Sequence, residues 1–594
     1  MRVTKKAVLL LLMGVCITGA LLFSGCSNKD ENKEPVQLTV YSQLANYSGK
    51  LTGWFAQVLL DEFNCEMTII PESDGTFDTR MESGDLGDIV IIGSTSSGEY
   101  YRAVSGGYLY DWNEDDLLEN EGQYIYDNMG YALESNRKLN EIIYNENGID
   151  KEPTIYGFMQ NVATSSSDHR EFIYTWDIRW DLYRQLGSPQ IKNLDDYYEL
   201  LLAMKEISPL DESGNPAYAF SMWPDWDGHM MMYAKCLVTT YWGYEGDFGA
   251  GMFNTETGEY YRPIDEDSHY FDALRFFNKL YRADLIDENS MTQTVQMAGE
   301  KMINGGVFAS VFNYAGSSIF NTQEHQDENK MMLTLVPEDA RPIAYGMSTE
   351  GSGSIWTIGA NTEYPELCMS IINWLATPKG FLTYTYGPEA SYDEETGEYD
   401  PESCWYIKDG YVNFTKLGEA AYTSRKKTQM PEKWGGGTYQ DGVCEINANT
   451  WDLDASNPLT NDETYNAVNW SSRQDQEISE IEQDWRDFTG CKTPNEYLSK
   501  RNKYIINRST PSFNYATLSD ELKVIISQLD ECVTNYSWMA VYADSEEKCE
   551  AILQEMTTKY NTYDPDNIVY NWYKEEAKKA YAIELQKGGG QPNN

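Results

Sequence analysis

Apolar positions in the first hundred residues follow two spacings, one typical of buried strands and one typical of helices. Short apolar runs occur at 38–42, 66–70 and 88–92, and segments with helical spacing at 51–63 and 77–82 separate them. Buried strands that alternate with helices form a parallel sheet with both faces covered. The pattern therefore predicts an α/β fold for this part of the chain.

Helical signals dominate the following region. Asn193 and Asp196 resemble a capping box that opens a helix over 194–207. Apolar residues recur at helical spacing over 271–283. The part of the chain after about residue 391 is predicted to be rich in helices.

The loops that follow the first and third predicted strands are the natural place for a ligand. In open α/β sheets, ligands bind beyond the carboxyl ends of the strands. Those ends are residues 43–47 and 93–98, and both stretches are uncharged and rich in hydroxyl and amide groups. Neither stretch contains a glycine-rich phosphate-binding motif. The loops therefore favour a neutral, hydroxylated ligand.

The first 26 residues have the features of a secretory signal. A basic start precedes an apolar run over 7–22. Leu-Leu-Phe-Ser-Gly-Cys at 21–26 resembles the bacterial lipobox, which implies cleavage after Gly25 and a diacylglycerol thioether on Cys26. An ordinary cleaved signal and an uncleaved anchor are the alternatives. We predict a signal peptide over 1–25 and attachment through Cys26 to the extracytoplasmic face of the membrane.

Residues 27–35 have no apolar side chain to bury before Pro35 and are typical of a solvated linker. The folded part is therefore predicted to begin near Val36. No later stretch approaches the roughly 18 apolar residues that a membrane span needs. The lipid anchor is the predicted membrane attachment.

Charge and metal-ligand patterns exclude several classes of function. The formal net charge of −49 argues against nucleic acids and polyanionic ligands, which are bound by clustered Lys and Arg. The cysteines after Cys26 are scattered without C-x-x-C spacing, and the four histidines show no metal spacing. We therefore predict no cofactor and no metal, and the sequence leaves the pairing of the cysteines open.

Several segments resemble extracellular solute-binding proteins of bacterial ABC importers, in the order in which that family has them. Ser-Gly-Asp-Leu-Gly-Asp-Ile-Val is the first of these segments. The segments are residues 83–90, 178–187 with 193–196, 273–287, 304–314 and 364–380. The resemblance covers about residues 36–390 and is to maltose-binding-like proteins of the long-chain sugar-binding branch, which the C-terminal part fits more loosely.

The resemblance implies a periplasmic-binding-protein fold with two α/β lobes, a hinge and a helix-rich C-terminal part. Lobe I is expected to contain 36–165 with 340–390, and lobe II to contain 166–339 with 391–594. The implied protein is a monomer that closes on a ligand between the lobes and delivers it to the permease subunits of an ABC transporter. It is implied to be a binding protein rather than an enzyme.

Aromatic residues indicate the class of ligand. Phe, Trp and Tyr make up 13% of the chain, and several tryptophans lie in polar turn contexts. Flat aromatic faces beside polar groups suit sugar rings, although core packing is the alternative for any single tryptophan. The resemblance places Asn313 and Tyr314 on a strand that supplies a stacking aromatic in maltose-binding relatives. The predicted ligand-binding residues are Gln43, Asn46, Tyr47, Ser94, Thr95, Trp223, Trp226, Trp242, Asn313, Tyr314 and Trp434.

The predicted function is capture of a carbohydrate, expected to be an oligosaccharide. A secreted glycoside hydrolase is an alternative, because the many carboxylates of the chain could include a catalytic pair. The sequence lacks the G-x-S-x-G and H-E-x-x-H motifs of other hydrolases. A peptide-binding receptor of the same fold and a structural or adhesive lipoprotein are the remaining alternatives.

Overall fold

The structure is a computed structural model of the 594-residue chain. It describes residues 34–73, 75–95, 97–246, 251–461, 463–474, 478–501, 503–507, 519–587 and 591–592. The predicted signal peptide and the predicted lipidation of Cys26 lie outside the described residues.

Strands are short and are distributed over several sheets. The strands are β1 (Val36–Ser42), β2 (Gly49–Lys50), β3 (Cys65–Pro71), β4 (Ile89–Ile92), β5 (Gly157–Met159), β6 (Asp177–Arg179), β7 (Met252–Asn254), β8 (Glu259–Tyr261), β9 (Ala309–Ser310), β10 (Met332–Thr334), β11 (Ile343–Tyr345), β12 (Ile355–Ile358), β13 (Tyr392–Asp393), β14 (Glu398–Tyr399), β15 (Trp405–Lys408), β16 (Tyr411–Phe414) and β17 (Ile505–Asn507).

Helices connect these strands and form most of the last hundred residues. The helices are α1 (Gly53–Phe63), α2 (Thr76–Ser83), α3 (Gly98–Ser105), α4 (Leu117–Glu121), α5 (Gln123–Asn128), α6 (Gly130–Asn147), α7 (Trp180–Gln185), α8 (Leu194–Ile207), α9 (Met232–Tyr241), α10 (Tyr270–Arg282), α11 (Val295–Ile303), α12 (Ser317–Phe320), α13 (Gln323–Asp327), α14 (Pro365–Ala376), α15 (Pro378–Tyr386), α16 (Lys416–Thr423), α17 (Ser471–Gln474), α18 (Glu480–Thr489), α19 (Pro494–Lys500), α20 (Asp520–Val541), α21 (Glu546–Tyr563) and α22 (Ile568–Gln586).

A six-stranded sheet in the order β2-β3-β1-β4-β12-β5 forms the centre of lobe I. β1 is parallel to both β3 and β4, as the apolar runs predicted, whereas β12 is antiparallel to β4. Ile89 and Ile91 pack in one hydrophobic cluster, and Val90 and Ile92 pack in another. Strand β4 is therefore covered on both faces, which explains why all four of its residues are apolar.

Lobe II contains the three-stranded sheet β10-β6-β9, packed among helices. The predicted helices over 194–207 and 271–283 are confirmed as α8 and α10. Asn193 caps α8, because its side-chain oxygen accepts the backbone N–H groups of Asp195 and Asp196, each at 3.0 Å. The apolar face of α10 packs into the core of the lobe.

The lobe boundary predicted at residue 391 differs from the packing. Buried residues between 386 and 470 pack with the β1 core, whereas those between 481 and 580 pack with the β6 core. Trp405 and Trp451 lie in the β1 core, and the indole of Trp451 donates to the carbonyl oxygen of Ala376 at 2.5 Å. The segment 391–470 also contains the hairpins β13–β14 and β15–β16. The resemblance ended at 390 and could not place this segment.

Residues between 163 and 172 and between 344 and 347 connect the two cores, and we call these two stretches the hinge region. β11 and β17 pair in parallel beside this hinge region. In the part of the chain that the structure describes, no helix is both long and apolar enough to cross a membrane.

Candidate ligand-binding site

The loops after β1 and β4 lie side by side at one edge of the lobe I sheet. The backbone N–H of Gly93 donates to Oε1 of Gln43 at 2.6 Å, and the backbone N–H of Gln43 donates to the carbonyl oxygen of Ile91 at 3.0 Å. Parallel strands place their carboxyl ends at the same edge. Because Ser94 and Thr95 follow Gly93, the structure brings Gln43, Ser94 and Thr95 together, as predicted from the sequence.

A distant segment that the sequence analysis missed also lies at this edge. The backbone N–H of Asn46 donates to the carbonyl oxygen of Glu445 at 3.1 Å. The side-chain amide of Asn447 donates to the carbonyl oxygen of Leu44 at 2.7 Å. These contacts add Glu445 and Asn447 to the candidate site. About 400 residues separate them from β1, and nothing local in the sequence points to the contact.

The remaining predicted loop residues have defined positions. The hydroxyl of Tyr47 donates to the carbonyl oxygen of Lys50 at 2.7 Å, so its ring extends towards β2. The hydroxyl of Thr95 lies 3.5 Å from the sulfur of Met159 on β5. Both side chains thus stay at the sheet edge, with Tyr47 at its outer end.

The exposed rings of Trp226 and Tyr314 lie next to each other on lobe II, and we call this pair the aromatic platform. Trp226 is 46% exposed and Tyr314 is 38% exposed, and their ring centroids are 5.8 Å apart. Tyr314 stacks on Phe312 with a centroid separation of 4.3 Å. Asn313 lies between Phe312 and Tyr314 in sequence. Its backbone N–H donates to the carbonyl oxygen of Ile173 at 2.9 Å. The two rings are tilted by 44° to each other, so the platform offers two partly apolar ring faces, each of which suits the face of a sugar ring.

Trp223 supports the platform rather than forming part of it. It is 2% exposed, which leaves no surface on which a sugar could stack. Its ring packs edge to face against Trp226 at 5.3 Å and Tyr233 at 5.4 Å. The prediction that Trp223 stacks on the ligand is therefore wrong for this conformation. Trp223 and Trp226 are three residues apart in a turn that points one ring inward and the other outward.

Trp242 and Trp434 lie apart from the platform contacts. Trp242 stacks on His269 at 4.9 Å and lines a groove of about 590 Å³ with residues of α10 and α21. The indole of Trp434 donates to the carbonyl oxygen of Glu402 at 2.8 Å, and the ring packs against the lobe I core. All these tryptophans were predicted to contact the ligand because each lies in a polar turn. The local sequence does not determine which of these turns lie close together in the fold.

Two carboxyl groups flank Trp226. Asp225 is exposed, and its Oδ2 accepts the backbone N–H of Val295 at 3.0 Å. Asp227 is buried, and burial raises the pKa of its carboxyl to about 6. Acidic groups beside the platform disfavour an anionic ligand. Among the residues that the structure describes, no group of three or more His, Cys, Asp or Glu side chains could hold a metal ion.

The fold is that of the solute-binding proteins of ABC transporters. The chain is similar to an HMO-binding, ABC-transporter-associated solute-binding protein from Bifidobacterium longum infantis, with a TM-score of 0.50 at 13% identity over 93% of this chain and 99% of that one. An N-glycan transport solute-binding protein (NgtS) from Streptococcus pneumoniae aligns with a TM-score of 0.41 at 14% identity over 93% of this chain and 99% of that one. The similarity to the Bifidobacterium longum infantis protein confirms the predicted two-lobed α/β fold.

The chain is also similar in sequence to lipoprotein LipO of Bacillus subtilis (strain 168). The two are 27% identical over 278 residues, which is 46% of this chain and 49% of that protein. The matched region therefore spans about half the length of the curated relative. No protein-family model matches the chain.

Proposed function

We propose that the protein is an extracytoplasmic, lipid-anchored receptor that captures a neutral oligosaccharide and delivers it to an ABC permease. The observation that carries this proposal is the aromatic platform of Trp226 and Tyr314 on a solute-binding fold. The C–H faces of sugar rings pack on aromatic faces, and the ring edges carry hydroxyl groups that need hydrogen-bonding partners. The platform supplies the first requirement from lobe II.

Lobe I supplies the second requirement in this proposal. Gln43, Ser94 and Thr95 lie together at the sheet edge, and Asn46 with Asn447 extends the row of amide and hydroxyl groups. A ligand that contacts both lobes has a higher affinity for the closed state and shifts the population towards it. The proposed receptor works as a monomer and needs no cofactor.

Charge supports a neutral ligand over a uronic acid. The chain carries a formal net charge of −49, and Asp225 and Asp227 flank Trp226. The solute-binding protein of Bifidobacterium longum infantis that shares the fold is HMO-binding, which supports a carbohydrate. The similarity to lipoprotein LipO supports attachment through Cys26.

Calorimetry on a soluble form that begins at Ser27 tests the proposal. We expect a neutral oligosaccharide from a broad glycan panel to bind, and Tyr314→Ala to weaken that binding. Tyr392→Ala is the matched control, because Tyr392 is a 55% exposed tyrosine on the hairpin β13–β14 of the other lobe. If peptides bind and no glycan does, the protein is a peptide-binding receptor instead. Release of reducing ends from glycans over hours would indicate a glycoside hydrolase.

A further inference from the structure

The loop that carries Trp226 is attached to helix α20, which lies outside the region of family resemblance. The indole Nε1 of Trp538 donates to Oδ2 of Asp227 at 2.7 Å. Two residues further along the loop, Nδ1 of His229 lies 2.8 Å from Oδ2 of Asp530. Asp530 and Trp538 are eight residues apart in α20, a spacing that places both on one face of a helix. This face of α20 therefore holds the loop at two positions.

A third link joins the end of the same loop to α20. The backbone N–H of Met231 donates to the hydroxyl of Tyr270 at 2.9 Å, and that hydroxyl lies 2.9 Å from Oγ of Ser537. Tyr270 and Ser537 are both buried. The loop, the first residue of α10 and the C-terminal part of α20 thus form one connected hydrogen-bond network.

Asp227 is the residue at which these links meet the aromatic platform. Its Oδ1 accepts the backbone N–H of Met232, the first residue of α9, at 2.9 Å, a favourable position for a carboxylate. Its backbone N–H donates to the carbonyl oxygen of Pro224 at 3.1 Å and closes the turn that contains Trp226. Because the carboxyl is buried and bonded on both oxygens, the turn has little freedom to rotate the adjacent indole.

We infer that Asp227 and Trp538 are positioning residues for Trp226, so that helix α20 sets the orientation of the aromatic platform. The expected effect on oligosaccharide binding rests on the proposed function, whereas the expected effect on the orientation of the Trp226 ring does not. In this arrangement Trp538, which packs in the lobe II core, acts on the ligand through Asp227 and Trp226.

Fluorine NMR of protein labelled with 5-fluorotryptophan measures the Trp226 environment without any ligand. The Trp226 resonance is assigned by its loss in Trp226→Phe. Trp538→Phe removes the indole donor and keeps an aromatic ring, and Asp227→Asn places an N–H₂ group where Oδ2 accepts. We expect each change to shift or broaden the Trp226 resonance and to weaken oligosaccharide binding roughly tenfold or more. The double variant should be no worse than the poorer single variant, because both changes remove the same hydrogen bond.

Trp485→Phe is the matched control for loss of a buried indole hydrogen bond. The indole of Trp485 donates to the carbonyl oxygen of Thr334 at 2.8 Å in the same lobe. We expect this variant to melt at a lower temperature but to keep the parent Trp226 resonance and ligand affinity. The conservative variant Asp227→Glu, which retains a carboxylate, should recover part of the parent resonance.

An unchanged Trp226 resonance in both Trp538→Phe and Asp227→Asn would overturn the inference. An equal change in Trp485→Phe would also overturn it, because the effect would then be a general loss of packing. If the resonance changes as expected but the parent protein binds no glycan, the positioning role stands and the proposed function fails.

Discussion

The side-chain oxygen of Gln591 accepts a hydrogen bond of 2.7 Å from the backbone N–H of Tyr131, which joins a segment following α22 to a helix of lobe I. Helix α22 itself packs in the lobe II core through Val569 and Tyr573. The backbone N–H of Gln591 also donates to the carbonyl oxygen of Thr164 in the hinge region at 3.1 Å. Gln591 therefore forms a noncovalent connection between the lobes.

Gln591→Ala should weaken this connection. We expect the free energy of unfolding to fall by about 1–2 kcal/mol, because backbone donors and acceptors lose their partner. Amide hydrogen exchange near Thr164 should become faster. The exposed Gln586 provides the control, and Gln586→Ala should change neither quantity. Equal exchange rates in the two variants would contradict the connection.

Two neighbouring carboxyl groups, those of Glu171 in the hinge region and Asp454 in lobe I, should make stability depend on pH. The backbone N–H of Glu171 donates to Oδ2 of Asp454 at 3.4 Å, and burial raises the pKa of both carboxyl groups. A raised pKa means that folding favours the protonated acid, so stability falls as pH rises from the unfolded pKa to the folded pKa. Glu171→Gln should therefore raise the free energy of unfolding at pH 7 and leave it unchanged near pH 3.

Urea unfolding of the parent and of Glu171→Gln at both pH values measures this difference. Glu152→Gln, at an exposed position, is the control and should have no effect at either pH. A larger stabilisation at pH 3 than at pH 7 would reverse the sign and refute the explanation.

Local pattern predicted the fold of lobe I well. The run Ile89–Ile92 is apolar at every position because both of its faces are buried, and that is visible in sequence. The cap at Asn193 was equally visible, because capping depends on neighbours within three residues. The segment 391–470 was misplaced, because the contacts of Trp405 and Trp451 with the β1 core are long-range.

The candidate site was predicted only in part, for the same reason. Gln43 and Ser94 follow strands whose parallel pairing brings their ends together. Both Trp223 and Trp226 were predicted to contact the ligand, but Trp223 is buried and Trp226 is exposed. The exposure of a side chain depends on the packing of the whole lobe, which local sequence does not show. The local sequence did not indicate that Asp227 positions Trp226, because its hydrogen-bonding partner Trp538 lies 311 positions away.

Trp223 and Trp226 should respond differently to replacement by alanine. Trp226→Ala should weaken oligosaccharide binding by about 2 kcal/mol or more with little change in melting temperature, because the ring is exposed. Trp223→Ala should lower the free energy of unfolding by about 3–5 kcal/mol, because it empties a buried site. Calorimetry and thermal unfolding of both variants test this. If the Trp226→Ala variant melts at a much lower temperature than the parent protein yet binds the oligosaccharide normally, the ring belongs to the hydrophobic core and not to the binding site.

Ligand binding should reduce the radius of gyration. The proposed ligand contacts both lobes and stabilises the closed state by its differential affinity. Small-angle scattering of the soluble form with and without saturating oligosaccharide measures the change. An unchanged profile at saturation would count against hinge closure.

Cys26→Ala tests the proposed anchor. The motif Leu-Leu-Phe-Ser-Gly-Cys places the thiol where lipidation precedes cleavage, so a residue without a thiol should block both steps. We expect the variant to remain a precursor that retains residues 1–25 and to incorporate no labelled fatty acid. A Cys65→Ala variant is the control, because Cys65 is a buried cysteine of β3 and lies outside the signal. Labelling of Cys26→Ala as strong as that of the parent would show that the protein is anchored differently or not at all.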